Sequence, residues 1–534
     1  MKSMIKVKAI QSVTVAITIF VIIVLSSSIV HAEKNFKYVF VVDDEGRTNV
    51  TVLFYDHEDG SSWLLVPKDQ KELMDVTVYE GELINVTYES LIEGGRKNPF
   101  YVIMKFDYKA SGAINISIGY SMRYGALIIE PNAIFISPRI THEGGQSLVM
   151  VRLPGRVKVL ENGISTLSGY VRNVSVTKDN DYLTISAIIG PDDRLIVEYT
   201  IPERSELNNI TLGGFIFKVH PRYLDFALEV LEALNRARTI YEEVFKSETG
   251  NIYAEFFVPS RRDIALGLMG YVPIVGKNLG SIHLNILYIR SVKGFMSVVA
   301  MHELTHHFLS SINVPPSKLW IHEGVSQYMS LVVGYQLGYH EAIEMYEGIL
   351  EGSLKKLNNY LGFVQKWSPY SESTEDIGLY YAASYRIVKT LCDRYGGLDY
   401  LKKLFSVFKQ LSPIDWYDDA KVIEAFGVAA SDVSEVIRLF REWGFEIKES
   451  SFIIPSISQI KESVSRMPPW LEPYKNLAKT MINVAELLQQ HDLLYTAVIV
   501  VRVSQLIHEL SSSFMLVSIA IVAIAVVVLL RRKT

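Results

Sequence analysis

Between residues 34 and 212, apolar and polar positions alternate over short runs: FKYVFVV, NVTVLFY, DVTVYEG, FYVIMKF, INISIGY, SLVMVRL, LTISAII and RLIVEYT. A period of two puts alternate side chains on one face of a strand, and these runs are rich in β-branched and aromatic residues. They are cut by DDEG, HEDG, EGG and GPDD, whose Gly, Asp and Pro set turns. The spacing predicts an all-β, antiparallel sandwich-like region over 33–212, in one or two units, with a division near Pro138–Gly145. After Gly213 the period changes. PRYLDFALEVLEALNRARTIYEEVF carries apolar residues at helical spacing for about 25 positions. Two strand-like runs follow, NIYAEFFV and GSIHLNILYI, then SVVAMHELTHHFLSS, which reads as a helix. Four or more helices continue to residue 447, giving an α+β domain over 213–447 that is mostly helical in its later part. Residues 448–469, with SFIIPSISQ and MPP, read as a linker, and 470–510 as a helical stalk.

Both ends are apolar beside basic residues. Lys2, Lys6 and Lys8 precede an apolar run from Ala9 to Leu25, and Val30-His31-Ala32 offers small residues near a cleavage point. Residues 1–32 therefore read as a signal peptide or, if retained, an N-terminal anchor. Phe514 to Leu530 carries no charge and is followed by Arg531-Arg532-Lys533-Thr534. With the preceding serines, 511–530 is long enough for a transmembrane helix across about 30 Å of hydrocarbon. The basic tail at 531–534 predicts a cytoplasmic end, and hence a single-pass or two-pass membrane protein with residues 33–510 extracellular. Sequons begin at Asn49, Asn85, Asn115, Asn173 and Asn209. They read equally as glycan acceptors or as the Thr and Ser content of β segments.

Composition narrows the function. With 53 Lys+Arg against 58 Asp+Glu and no basic block, the chain lacks the footprint of a nucleic-acid binder. Charged residues at 21% beside 49% hydrophobic ones exclude a mainly disordered chain. A single cysteine, Cys392, excludes a disulfide framework, a Cys-rich zinc module and an iron–sulfur site. In its helical run it reads as a small buried hydrophobe.

The residues that carry chemistry begin at His302-Glu303-Leu304-Thr305-His306, an HExxH. Residues four apart share a helix face, so His302 and His306 can both turn an imidazole to one metal. Glu303, about 100° round the helix, reaches a water beside that metal without ligating it. Trp320-Ile321-His322-Glu323-Gly324 follows on another expected helix, with Glu323 17 residues after His306. A carboxylate third ligand completes a His2Glu set and leaves a fourth position for water, the catalytic arrangement for zinc.

HELTH followed by WIHEGVSQY resembles the gluzincin metallopeptidases, most closely the aminopeptidase N type and peptidase MA-like domains, where HExxH is followed by W-[LIF]-x-E-G. Tyr381-Ala382-Ala383-Ser384, continuing through YRIVKTLCDRYGG, resembles the family's Y-x-x-G segment. AFGVAASDVSEVIRLFREW resembles its closing helices, so that the likeness covers roughly 213–447. The resemblance implies a thermolysin-like zinc peptidase domain holding one Zn2+ through His302, His306 and Glu323. It implies Glu303 as general base and Tyr381 as hydrogen-bond donor to the oxyanion, with the adjacent Tyr380 an alternative. His307 falls off the ligand face, and His322 stands where the family more often has Asn. GSIHLNILYI is either an edge strand for an extended substrate or an ordinary sheet strand. One departure stands out: the family's G-x-M-E-N segment, whose Glu grips a free amine, corresponds here to GYVPIVGKNLGSIHLN, which has no carboxylate. Glu372, Glu375 and Asp376 form the nearest acidic cluster before Tyr381. The expectation is a membrane-anchored, extracytoplasmic zinc peptidase acting on peptides or proteins, with endopeptidase favoured over aminopeptidase. The rivals are a non-catalytic surface module that keeps the fold, and a zinc hydrolase with a non-peptide substrate.

Overall fold

In the strand Thr48–Asp56, Val50, Val52 and Phe54 are buried while Asn49 and Tyr55 face solvent, the period of two expected of a half-covered sheet. The computed structural model describes residues 34–516 apart from 170, 203–205, 276–277, 369–376, 412–415, 417, 448–456, 491–499 and 514. Contacts divide the chain into two units: residues up to 204 with 260–265, and 205–259 with 266 onward. The expected signal peptide or anchor at 1–32 lies outside the described residues.

In the first unit, Thr48–Asp56 pairs antiparallel with Asn35–Val42 and with Ile114–Met122. Asn35–Val42 in turn pairs in parallel with Ser147–Pro154, inside a seven-stranded sheet. The DDEG turn closes the first hairpin. Asp43 Oδ1 accepts from the backbone of Glu45 and Arg47 at 2.9 and 2.8 Å. Gly46 there has φ +80°, and a Cβ on it would lie 2.5 Å from the Ala126 carbonyl oxygen, so only glycine fits. A four-stranded and a three-stranded sheet complete the unit. One hydrophobic core runs from Phe36 to Ile201 and includes Ile140. The division expected near Pro138–Gly145 is thus replaced by a continuous core. That segment is stitched in by backbone bonds from Leu65 to Thr141 (2.8 Å) and from Ile140 to Asp193 (3.0 Å).

The second unit is built on a five-stranded sheet in the order 208–212, 215–219, 252–257, 282–285, 270–271. The strand Asn208–Leu212, grouped by alternation with the β region, pairs antiparallel with Phe215–Val219 here. The middle pairings are parallel, and Gly270–Tyr271 closes the sheet antiparallel. The helix Leu224–Phe245 buries Ala227, Val230, Leu231, Leu234, Ala237 and Tyr241, an apolar stripe at helical spacing. It is tied to the helix Phe295–Ser311 by polar bonds as well. Tyr241 Oη donates to the Met301 carbonyl at 2.9 Å, and Thr305 Oγ1 donates to Tyr241 Oη at 3.1 Å. Helices at Leu319–Gln336, His340–Leu354, Ile377–Tyr395, Leu398–Leu411, Asp419–Ala430 and Val433–Glu442 follow. Cys392 is fully buried.

Toward the C-terminus, Ile457–Ser465 within the expected linker 448–469 is helical, and with Glu472–Gln490 and 500–513 it shares a small core of Ile460, Val464, Leu471, Ala478, Ile482 and Val501. The linker residues 448–456 lie outside the described residues. The transmembrane helix expected at 511–530 is also corrected: among the described residues no helix is long and apolar enough to cross a membrane. The helix that leads into that stretch is amphipathic. Ser504 Oγ donates to the Ala478 carbonyl at 3.0 Å, and Arg502 bonds Gln505 at 2.8 Å. Residues 514 and 517–534 lie outside the described residues. The membrane placement and extracellular location rested on that helix and on residues 1–32, and no described helix supports them.

Candidate metal centre

The HExxH sits in the middle of the helix Phe295–Ser311, so none of its backbone groups is left open by a helix end. His302, Glu303 and Glu323 are each under 9% exposed, a severe burial for charged groups. Glu323 arrives on Leu319–Gln336, which is anchored by the fully buried Trp320 against Phe426 and Phe445 at 5.7 Å. The next residue, Gly324, lets the helix Ile377–Tyr395 come close: a Cβ there would lie 2.5 Å from the Ser384 carbonyl oxygen. The glycine of WIHEG therefore sets how near the Tyr381 helix approaches Glu323.

Ligand atoms of His302, His306 and Glu323 all lie within 4.8 Å of one another. His302 Nε2 is 3.0 Å from Glu323 Oε2, and His306 Nε2 is 3.8 Å from Glu323 Oε1. Donors about 2.0–2.1 Å from a tetrahedral ion are themselves about 3.4 Å apart, so this set of two imidazoles and a carboxylate fits zinc. Glu303 Oε2 lies 3.9 Å from His306 Nε2, beside the cluster.

The electrostatics are those of charges held out of water. Burial, reinforced by Glu323 and opposed by His302, pushes Glu303 up to about 8. Burial works against the charged form of His302, but its hydrogen bond to Glu323 and the two carboxylate charges raise its pKa overall. Burial likewise penalises the Glu323 carboxylate, and His306 and His302 hold its pKa below the ordinary value. His306, with burial dominant, is depressed to about 3. His302 Nδ1 has no hydrogen-bond partner.

Tyr381 and Tyr380 part company here. Burial raises the Tyr381 pKa well above its ordinary value, and the charges of Glu323 and Glu303 add to it. Tyr380 packs against Phe363 at 4.9 Å, while Trp367 touches both rings, 5.3 Å from Tyr380 and 5.1 Å from Tyr381. Sequence reasoning missed Tyr346 on His340–Leu354. It is buried, and after burial the charges of Glu303 and Glu323 raise its pKa. Nothing in its local sequence marks it among 30 tyrosines. Gln327, one turn beyond Glu323, is also fully buried, and its interaction with the Tyr346 hydroxyl opposes that rise. His307 is partly buried, pushed down to about 4 by burial, with Nε2 unpartnered. His322 is buried and bonded to His306.

The segment GSIHLNILYI supplies an interior strand, Ile282–Asn285, between Ile252–Phe257 and the edge strand Gly270–Tyr271. The edge passes the centre closely: a Cβ on Gly270 would be 3.0 Å from Glu303 Oε1. The acidic cluster Glu372, Glu375 and Asp376 lies outside the described residues.

No protein-family model matches the chain, and no curated protein matches it. Among solved structures it is similar to native leukotriene A4 hydrolase from Saccharomyces cerevisiae, at 12% identity and TM-score 0.33, covering 85% of this chain and 72% of that one. It is also similar to yeast LTA4 hydrolase in complex with bestatin, at 10% identity and TM-score 0.32, with the same coverage. Likeness at this level carries no functional argument, which rests on the geometry above.

Proposed function

We propose that the second unit is a zinc-dependent peptidase, with His302, His306 and Glu323 as ligands of one Zn2+. The observation that carries this reading is the convergence of those three side chains, His302 and Glu323 buried and His306 partly so, within 4.8 Å, with Glu303 beside them. Zinc bound there supplies Lewis acidity and lowers the pKa of water toward about 7. Glu303 takes a proton from the attacking water on its carboxylate and passes it to the leaving amine. Tyr381 donates its hydroxyl hydrogen to the oxygen that gains charge as the carbonyl is attacked. Its raised pKa keeps that hydrogen in place at neutral pH.

The substrate reading is a peptide or protein cut within the chain. A free α-amine next to the scissile bond is costly to desolvate without a carboxylate partner. The edge strand beside Glu303 and the segment that follows it, 264–301, contain no Asp or Glu. The test is a peptide-library digest by the zinc-loaded chain, with and without chelator, followed by one sequence offered with a free and an acetylated N-terminus. Cleavage lost to chelator, restored by zinc and indifferent to acetylation is expected. No cleavage of any peptide by a zinc-loaded chain sinks the peptidase reading. A hundredfold preference for the free amine, about 2.7 kcal/mol, sinks the endopeptidase reading alone.

A further inference from the structure

His306 has two ring nitrogens, and only a proton on Nδ1 leaves Nε2 with a lone pair facing His302 and Glu323. Two groups lie against Nδ1. His322 Nδ1 is 3.2 Å away and Ser326 Oγ is 3.3 Å away. A serine hydroxyl donates or accepts equally well, so Ser326 fits either tautomer of His306. His322 does not have that freedom. Its Nε2 lies 3.2 Å from the Val314 carbonyl oxygen, which can only accept, so Nε2 carries hydrogen. The carbonyl is fixed in turn: Val314 N–H donates to the Leu309 carbonyl at 3.0 Å, closing the end of the HExxH helix. A neutral imidazole carries one N–H and one lone pair, so with hydrogen on Nε2 the buried His322 ring has its lone pair on Nδ1 and accepts from the ring 3.2 Å away. The proton between the rings therefore belongs to His306 Nδ1. The rings are held in register, stacked at 22° with centroids 5.4 Å apart, and His322 is 2% exposed, so water does not compete.

We propose that His322 is a positioning residue. The relay from Val314 O through His322 to His306 selects the His306 tautomer that presents Nε2 to the metal. This rests on the reading of His302, His306 and Glu323 as zinc ligands. It gives the histidine of WIHEG a reason of its own: it reads a backbone carbonyl at the end of one helix and sets a ligand in the middle of that helix. An asparagine in its place has an amide that donates to Val314 and a carbonyl that accepts from His306, so Asn can do the same work. Leucine fills the volume and does neither.

The experiment measures zinc affinity of the full chain by competition with a chromophoric chelator, for wild type, His322→Asn, His322→Leu and Ser326→Ala. Partners of metal-binding histidines typically change affinity by roughly 10- to 100-fold when removed. His322→Leu is expected to weaken zinc by that factor, and His322→Asn and Ser326→Ala to stay within about threefold of wild type. A space-filling role predicts the opposite order, with leucine tolerated in the buried site and asparagine not. Zinc bound by His322→Leu as tightly as by wild type overturns the proposal, as does equal weakening by Asn and Leu. Nitrogen-15 spectra of histidine-labelled, zinc-free wild type supply a second readout that needs no variant to fold. His306 protonated on Nδ1 is expected there, and a proton on Nε2 overturns the proposal. Should wild type itself bind no zinc, the ligand reading fails, while the zinc-free spectra still decide the relay.

Discussion

His142 in the β unit and the pair His302 and His306 in the second unit are all withdrawn from water, yet their surroundings differ in kind. His142 has both nitrogens occupied: Nδ1 accepts from Gly144 N–H at 2.9 Å, and Nε2 bonds the Ser147 hydroxyl. Its ring stacks on Phe36 at 4.1 Å, and burial depresses it to about 4, a neutral ring. His302 and His306 instead share their space with two carboxylates, and one ring nitrogen of His302 has no partner. Burial alone does not mark a functional histidine. What separates the two regions is whether the bonding is complete within the fold, or converges on a point where no protein atom completes it.

The largest effect that sharpens this contrast is on catalysis. Glu303→Gln should lower kcat/KM for peptide hydrolysis by about 10³-fold, within the span that general-base catalysis supplies, while one zinc remains bound. His302→Ala should remove the zinc itself, read by elemental analysis. His142→Phe, in the other unit, should leave kcat/KM within about threefold. A His142 variant as damaging as Glu303→Gln would erase the distinction.

Next in size are the two tyrosines. Tyr381→Phe should cost about 10²-fold in kcat with KM little changed, the usual consequence of losing one oxyanion donor. Tyr380→Phe, in its Phe363 and Trp367 setting, should fall within about threefold. Steady-state kinetics that reverse this order would move the role one residue back.

Much of this was legible in the sequence because it is local. HExxH places two imidazoles on one helix face by spacing alone, and alternation in runs such as NVTVLFY marks strands. Tertiary partners were not legible. The strand Asn208–Leu212 has the same alternation wherever it pairs, so nothing local assigns it to the second unit. Tyr346 comes under the charges of Glu303 and Glu323 only through the packing of a separate helix. The continuous core that includes Ile140 overrode the Pro and Gly residues that suggested a break. At the C-terminus, hydropathy suggested a span at 511–530, of which 514 and 517–530 lie outside the described residues; the helix before it, 500–513, is packed against Ala478.

Metal addition tests the same contrast thermodynamically. Zinc at about 100 times its Kd should stabilise the folded second unit by about 2.7 kcal/mol. Hydrogen exchange should slow in Phe295–Ser311 and Leu319–Gln336 and stay unchanged in Asn35–Val42 and Ser147–Pro154. Equal protection of both regions would mean that zinc binds nonspecifically, and His302→Ala should abolish the response.

The smallest effect belongs to His142 and runs through pH. The ordinary histidine pKa is about 6.5, and burial holds His142 near 4 in the folded unit. Between those values the unfolded chain binds a proton that the folded unit refuses, so stability is lost as pH falls through about 6.5 toward 4 and is level above 7. At pH 5 the loss is about 2 kcal/mol from this residue alone. Urea midpoints, read by hydrogen exchange in residues 35–56 and 147–154 at pH 7 and pH 5, should show it. In His142→Phe, which keeps an aromatic ring against Phe36, that share of the pH dependence should vanish even though the variant begins less stable for want of the Ser147 and Gly144 bonds. If wild type and His142→Phe lose equal stability between pH 7 and 5, then His142 is not held neutral by the fold, and its contrast with His302 and His306 reduces to the number of carboxylates nearby.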